Sequence, residues 1–206
     1  ITLDQTGVET YATVFTIAPS RHDIKTIWAG SDDGFVQVTR DGGATWAPFL
    51  HTARMQDPRA IEFMTLVMER FGSPTSPEID PLGINEMHKM RLDQKNPDRV
   101  WTQTHVGVFR SDDAGATWAD VTAGLPSFHG FPIAVTRRAP DAAYVVPLAF
   151  EGAYDNFRVC DGQFAVYRTR DAGATWEGLT RGLPGPHDYQ SVYREALDTD
   201  GPDQEG

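Results

Sequence analysis

Three histidines and three glutamates carry the chain's most evident chemistry: His88, His105 and His129, and Glu86, Glu151 and Glu195. Imidazole suits zinc and similar ions, so three histidines could ligate a metal. None stands in a short ligand spacing such as His-Glu-x-x-His, so no metal site is expected. A hydrogen-bonded histidine at a strand end is the simpler account of each. Paired carboxylates are the machinery of glycoside hydrolysis, and their separation sets the stereochemical outcome. On that reading Glu86 and Glu195, with Arg194 as the cation beside a substrate, form the candidate catalytic set. Tyr154 and Tyr193 join the three histidines as candidate ligand contacts. No cofactor is implied, since the chain contains neither G-x-x-x-x-G-K-S/T nor G-x-S-x-G. The run from Asp198 to Asp203 is similar to a calcium loop, but its glycine comes two places early.

An octapeptide of the form Ser/Thr-x-Asp-x-Gly-x-Thr-Trp must position these groups, because it occurs three times. The copies are centred on Asp41, Gly43 and Trp46, on Asp113, Gly115 and Trp118, and on Asp171, Gly173 and Trp176. Asp tolerates turn conformations and accepts hydrogen bonds from nearby backbone N–H groups. Gly at the fifth position supplies a positive φ that side chains resist. Thr-Trp then opens a strand, where β-branched and aromatic residues fit, and the indole offers a large apolar area to fix the hairpin on its sheet. The three aspartates are read as structural, since three like turns cannot share one active site.

Around each octapeptide the sequence repeats a larger unit of short β-rich runs bounded by turn residues. The second unit shows it best, in the run from Lys89 to Arg110 that passes through Pro97-Asp98, Trp101, His105, Gly107 and Phe109 before the octapeptide. Four strands per unit make the blade of a β-propeller. The expected organisation is a first blade at about 10–50, a second at about 84–126 and a third at about 129–184. The first strand of a further blade follows at about 189–200. Intervals of 72 residues from Asp41 to Asp113 and 58 from Asp113 to Asp171 exceed the roughly 40–50 of a bare blade. Both therefore hold insertions. Residues 51–83 contain an expected short helix, with Asp57 as N-cap, Pro58 at the first position, Ile61, Met64 and Phe71 at helical spacing, and Gly72 at the end. A second insertion, Glu151–Gly162, falls between two strands of the third unit. Trp28 and Trp101 occupy equivalent second-strand positions and are expected in the core.

The octapeptide resembles the Asp-box, or BNR repeat, of sialidases, xyloglucanase-type glycosidases and sortilin-type receptors. The resemblance is close at the boxes and covers roughly residues 10–50 and 84–200 at family level. It implies that the box joins the third and fourth strands of a blade, and that ligands bind on the face away from the boxes. On that face it would place Glu86, His88 and His105 from the second blade and His129 and Tyr154 from the third. Tyr193, Arg194 and Glu195 would come from the partial blade. It also implies neighbouring blades, since closed propellers have about four to eight, so the chain is expected to be part of a larger propeller. The Phe-Arg-Ile-Pro motif of sialidases is absent, and Phe109-Arg110-Ser111 runs into the second box instead. Arg194 is a candidate substrate arginine, although strand alternation would turn Tyr193 and Glu195 to the other side. The leading reading is a ligand-binding scaffold for a glycan or a peptide. An exo-glycosidase is the alternative, and a protein-interaction or assembly propeller is the third.

Composition narrows the partners. The chain has 206 residues, 40% of them hydrophobic, and a formal net charge of −11. An acidic chain without a basic run is a poor partner for nucleic acid or anionic membranes. No apolar stretch reaches the length of a membrane-spanning helix. Cys160 is the single cysteine, so no internal disulfide forms.

Overall fold

The computed structural model describes residues 14–31, 35–51, 87–149 and 158–199. The helix expected within 51–83 lies outside the described residues, as do Glu86, Glu151 and Tyr154. Among the described residues the chain forms three antiparallel sheets. The first runs through β1 (Val14–Pro19), β2 (Ile27–Ser31), β3 (Phe35–Thr39) and β4 (Ala47–His51) in order. The second repeats this with β5 (Met87–Leu92), β6 (Val100–Thr104), β7 (Gly107–Ser111) and β8 (Ala119–Asp120). In the third, β9 (Gly130–Val135) pairs one edge of β10 (Ala143–Ala149). The other edge of β10 is shared by β12 (Val166–Thr169), which leads to β13 (Glu177–Leu179), and by the short β11 (Arg158–Val159). β11 therefore lengthens the edge that β12 begins, within the insertion expected at 151–162.

Sequence explains the strands. Runs such as Val100–Thr104 and Ala143–Ala149 are buried almost throughout, because the sheets are covered by their neighbours. Asx turns separate them. In the second unit the Asp93 carboxylate accepts from Lys95 N at 2.8 Å and Asn96 N at 2.9 Å, the geometry for which Asp is favoured in turns.

The sheets stack face to face. Trp28, Val36 and Val38 of the first sheet pack on Met87, Met90 and Val100 of the second. Trp101, Val108 and Val121 of the second pack on Ile133, Val135, Ala143 and Val145 of the third. Strand β5 lies between β1 and β9, and Met90 N donates to Thr16 Oγ1 at 3.0 Å across the first seam. The first strands of the three units thus form one wall.

The octapeptides connect β3 to β4, β7 to β8 and β12 to β13, each with the same hydrogen bonds. In the first, the Thr39 hydroxyl accepts from Gly43 N at 2.9 Å and donates to Asp41 Oδ1 at 2.7 Å. Asp41 in turn accepts from Thr45 N at 2.9 Å and from the Thr45 hydroxyl at 2.6 Å. Ser111, Asp113 and Thr117 repeat the pattern, as do Thr169, Asp171 and Thr175. The fifth-position glycines have the expected positive φ of 96°, 88° and 88°. The fourth position is also left-handed, at Gly42, Ala114 and Ala172, and its N–H donates to the β1–β2 turn of its own unit or its equivalent, at Lys25, Asp98 or Asp141 O.

The tryptophans do more than the expected fixing of each hairpin on its own sheet, which Trp118 does by packing on Val106 and Phe109. Trp118 packs on the first seam, while Trp176 packs on the second and donates through Nε1 to Val121 O at 2.8 Å. Each indole therefore braces the preceding sheet. Trp46, with no preceding sheet among the described residues, is 45% exposed. Charges close the same seam, where Arg99 bonds Asp112 at 2.6 Å and also Asp141, and Arg110 donates to Ala172 O.

Residues 189–200 were expected as a strand. Among the described residues 189–199 the chain instead runs as irregular backbone with a turn at 194–196. It covers the free face of the third sheet, with Val192 and Leu197 packed on Phe131, Val146 and Leu148. Thr199 Oγ1 donates to Val135 O at 2.9 Å.

Two outcomes test the turns. A Cβ on Gly173 would meet Val121 Cβ at 2.6 Å, whereas one on Gly42 would meet nothing within 4 Å. Gly173→Ala should therefore cost about 2–4 kcal/mol, from left-handed strain plus overpacking, and Gly42→Ala about 1, read from urea denaturation. Bonds from the threonine hydroxyl and N–H four residues on, then from the first-position hydroxyl, hold the Asp41 and Asp171 carboxyls at about 2 and lower Asp113. Their stabilisation is complete above the ordinary carboxylate value of 3.8 and is lost as pH falls towards 2. Asp171→Asn should flatten the acid limb of the stability curve between those values.

Candidate functional site

At the strand ends away from the octapeptides, two tight connections bring the three histidines together. His105 sits in the two-residue turn between β6 and β7, where Val106 N donates to Thr104 Oγ1 at 3.2 Å and the Thr104 hydroxyl donates to Gly107 O at 3.1 Å. Buried Gln103 ties that hairpin to the approach of β9, its Nε2 donating to Thr104 O at 2.9 Å and Phe128 O at 3.2 Å. His129 stands just before β9, and His88 is the second residue of β5. His88 Nδ1 lies 2.6 Å from Gly130 O, and a carbonyl only accepts, so the proton is on Nδ1. This bond crosses from the second sheet to the third. Gly130 is required there, since a Cβ would meet Val146 O at 2.9 Å.

The rings of His88 and His105 meet edge to face at 4.5 Å, and those of His105 and His129 lie 5.6 Å apart, close to parallel. Phe131 contacts His88 at 4.4 Å and His129 at 5.2 Å, and stacks on Tyr193 at 5.1 Å. Four of the expected ligand contacts thus share one aromatic cluster. The histidines are buried, and Tyr193 is its exposed member. The rings pack on one another rather than converging on a point, and among the described residues no group of three or more His, Cys, Asp or Glu is placed to hold a metal ion. Burial, then the neighbouring His88 and His105, pushes the His129 pKa well below its ordinary value. His129 is therefore neutral at neutral pH.

Tyr193, Arg194 and Glu195 part company with the strand expectation. Because they lie in a turn, Tyr193 and Arg194 both reach Phe131 instead of facing opposite ways, and the Arg194 guanidinium also lies 4.2 Å over the Phe15 ring. Glu195 accepts from Lys89 Nζ at 2.9 Å, which engages the carboxylate that the glycosidase reading required. Lys89 is the residue that sequence reasoning missed. Its ammonium is buried in the wall of first strands and also donates to Arg194 O at 2.5 Å. Burial lowers its pKa, with the Glu195 bond acting in the opposite direction. A signal was available in the alternation of Lys89 and Arg91 with Met90 and Leu92, which places two cations on an inner strand.

A cavity of about 280 Å³ opens at the octapeptide end of the wall, lined by Ile17, Pro19, Met90, Arg91, Val135 and Asp198 among others. Sequence reasoning sought ligands only at the opposite end.

No protein-family model matches the chain, and no curated protein matches it. Solved structures do. A structure of YCF48 bound to D1 peptide superposes with a TM-score of 0.50 at 17% identity, over 82% of this chain and 41% of that one. An ancestral GH74 enzyme gives a TM-score of 0.57 at 18% identity, over 84% of this chain and 21% of that one. The GH74 xyloglucanase from Xanthomonas campestris gives 0.54 at 16% identity, over 82% and 22%. The fold is that of a β-propeller. The three sheets are blades of such a propeller, and the chain spans less than half the length of each of these structures. At such identities the likeness is one of fold. Among the described residues no helix is long and apolar enough to cross a membrane.

The histidine cluster has a consequence for pH. An unfolded histidine binds its proton near pH ~6.5, whereas folded His129 resists it until lower pH, so stability is complete above about 6.5 and falls below it. The urea midpoint should therefore be lower at pH 5 than at pH 7.5, and His129→Phe should narrow that gap. An equal midpoint at both pH values in the unsubstituted chain would count against a buried neutral imidazole.

Proposed function

We propose that this chain is part of an Asp-box β-propeller that serves as a binding scaffold, with its ligand, a peptide, held at the strand ends away from the octapeptides. The observation that carries this reading is the aromatic cluster of His88, His105, His129 and Phe131, with Tyr193 at its exposed edge. A buried, rigid aromatic base with one amphipathic ring presented to solvent suits a peptide side chain at low entropic cost. The identical turn network in all three copies supports assigning the octapeptides to the Asp-box. The peptide complex among the similar structures favours a peptide over a glycan. A glycosidase reading has less support, because the Glu195 carboxylate is engaged by Lys89.

Panning the chain against a random dodecapeptide library, and in parallel against xyloglucan oligosaccharides, tests this. Selected peptides should bind, and Tyr193→Ala should weaken them at least tenfold while Trp46→Ala, on the octapeptide side, leaves them unchanged. Cleavage of the oligosaccharides, or a selected peptide sensitive to Trp46→Ala and not to Tyr193→Ala, would overturn the assignment.

A further inference from the structure

The wall of first strands holds a cation whose counter-ion comes from elsewhere in the chain. Lys89 on β5 is buried to 2% side-chain exposure, yet its partner Glu195 is 82% exposed. The fixed half of this pair is the lysine, and the carboxylate is presented to it from a turn 106 residues along the chain. Arg91, two residues further along the same strand, also faces Glu195, at 3.8 Å. Arg91 then lines the adjoining cavity of about 280 Å³, whose other walls include Ile17, Pro19, Met90 and Val135, with Arg21 at its margin. The charges are divided by origin. The three cations, Lys89, Arg91 and Arg21, belong to the sheets and their turns. The two carboxylates, Glu195 and Asp198, belong to the segment after the third sheet.

A buried ammonium left without an anion is costly. Lifting that segment would remove both carboxylates and leave three cations beside an apolar recess. We propose that Lys89 and Arg91 form a carboxylate-binding subsite that the chain's own Glu195 occupies in cis, and that the external ligand is a carboxylate with an apolar body seated in the adjoining cavity. Glu195 and the Arg194 carbonyl stand where the two oxygens of that ligand would go. Exchange requires no rearrangement of the sheets, because the segment forms no strand and its Glu195 side chain is already largely in solvent. This subsite takes its cations from β5 and shares only the turn at 193–195 with the histidine cluster, and it needs nothing from the peptide reading above, since its probe and its variants are different.

Saturation-transfer NMR with 3-phenylpropionate as probe, and 3-phenylpropanamide as its uncharged counterpart, tests the proposal on the full chain. The carboxylate should bind weakly to the unsubstituted chain. Glu195→Gln, a substitution at an exposed side chain, should tighten it about tenfold by weakening the internal competitor. In that background Arg91→Gln should reverse most of the gain, and Lys89→Met should abolish binding. The amide should not bind to any variant. No gain with Glu195→Gln would overturn the cis-occupancy. Equal binding of the amide, or binding that survives both Arg91→Gln and Lys89→Met, would show a simple apolar pocket and sink the subsite.

Discussion

Apolar side chains on both faces of each sheet impose the constraint from which the rest of this structure follows. A four-stranded sheet of this kind cannot stand alone in water, because burying one face leaves the other wet. The solution is a stack in which Trp28 and Met90, or Trp101 and Ile133, fill the space between successive sheets. Stacking then dictates the wall of first strands, since β1, β5 and β9 are brought side by side. Among the described residues the groups singled out above lie on or at the ends of that wall. The histidine cluster is at one end, Lys89 and Arg91 face its middle, and the cavity opens at the other.

Much of this was legible in the residues. Short apolar runs between Pro-Asp turns marked strands, and the octapeptide marked hairpins whose fifth residue needed a positive φ. The Asp carboxylate was legible as an acceptor for backbone N–H groups. The hydroxyls at the first and seventh positions were less so: they complete the bond set around each Asp, as with Thr39 and Thr45, while the seventh was read only as a strand former. The direction of the indoles was not legible, because a tryptophan's address in a neighbouring sheet depends on how sheets stack. Trp46 shows the difference, since the same motif leaves its ring exposed where no preceding sheet stands among the described residues.

The segment after the third sheet was misread for a reason visible in retrospect. Val192 and Leu197 pack on the same sheet face, yet they are separated by an odd number of positions. A strand would send them to opposite sides, so a turn between them is required. That turn brings Glu195 to Lys89 and sets Arg194 on Phe15 and Phe131. The alternation of Lys89 and Arg91 with Met90 and Leu92 was a local sign of cations on an inner strand, but the partner of Lys89, 106 residues along the chain, leaves no local trace, whereas the placement of the histidines followed from strand ends alone. Their mutual packing depends on ring orientations that spacing does not encode.

The backward reach of the indoles also gives the molecule a sense of assembly. Trp118 and Trp176 each close on a sheet that precedes them in the chain. As the polypeptide leaves the ribosome, N-terminal parts fold first, so the hairpins of Trp118 and Trp176 each find their docking surface already built. Each seam is locked by the arrival of the next repeat and need not wait for the one after. Growth of such an array is therefore directional, with translation itself supplying the order in which the pieces click shut.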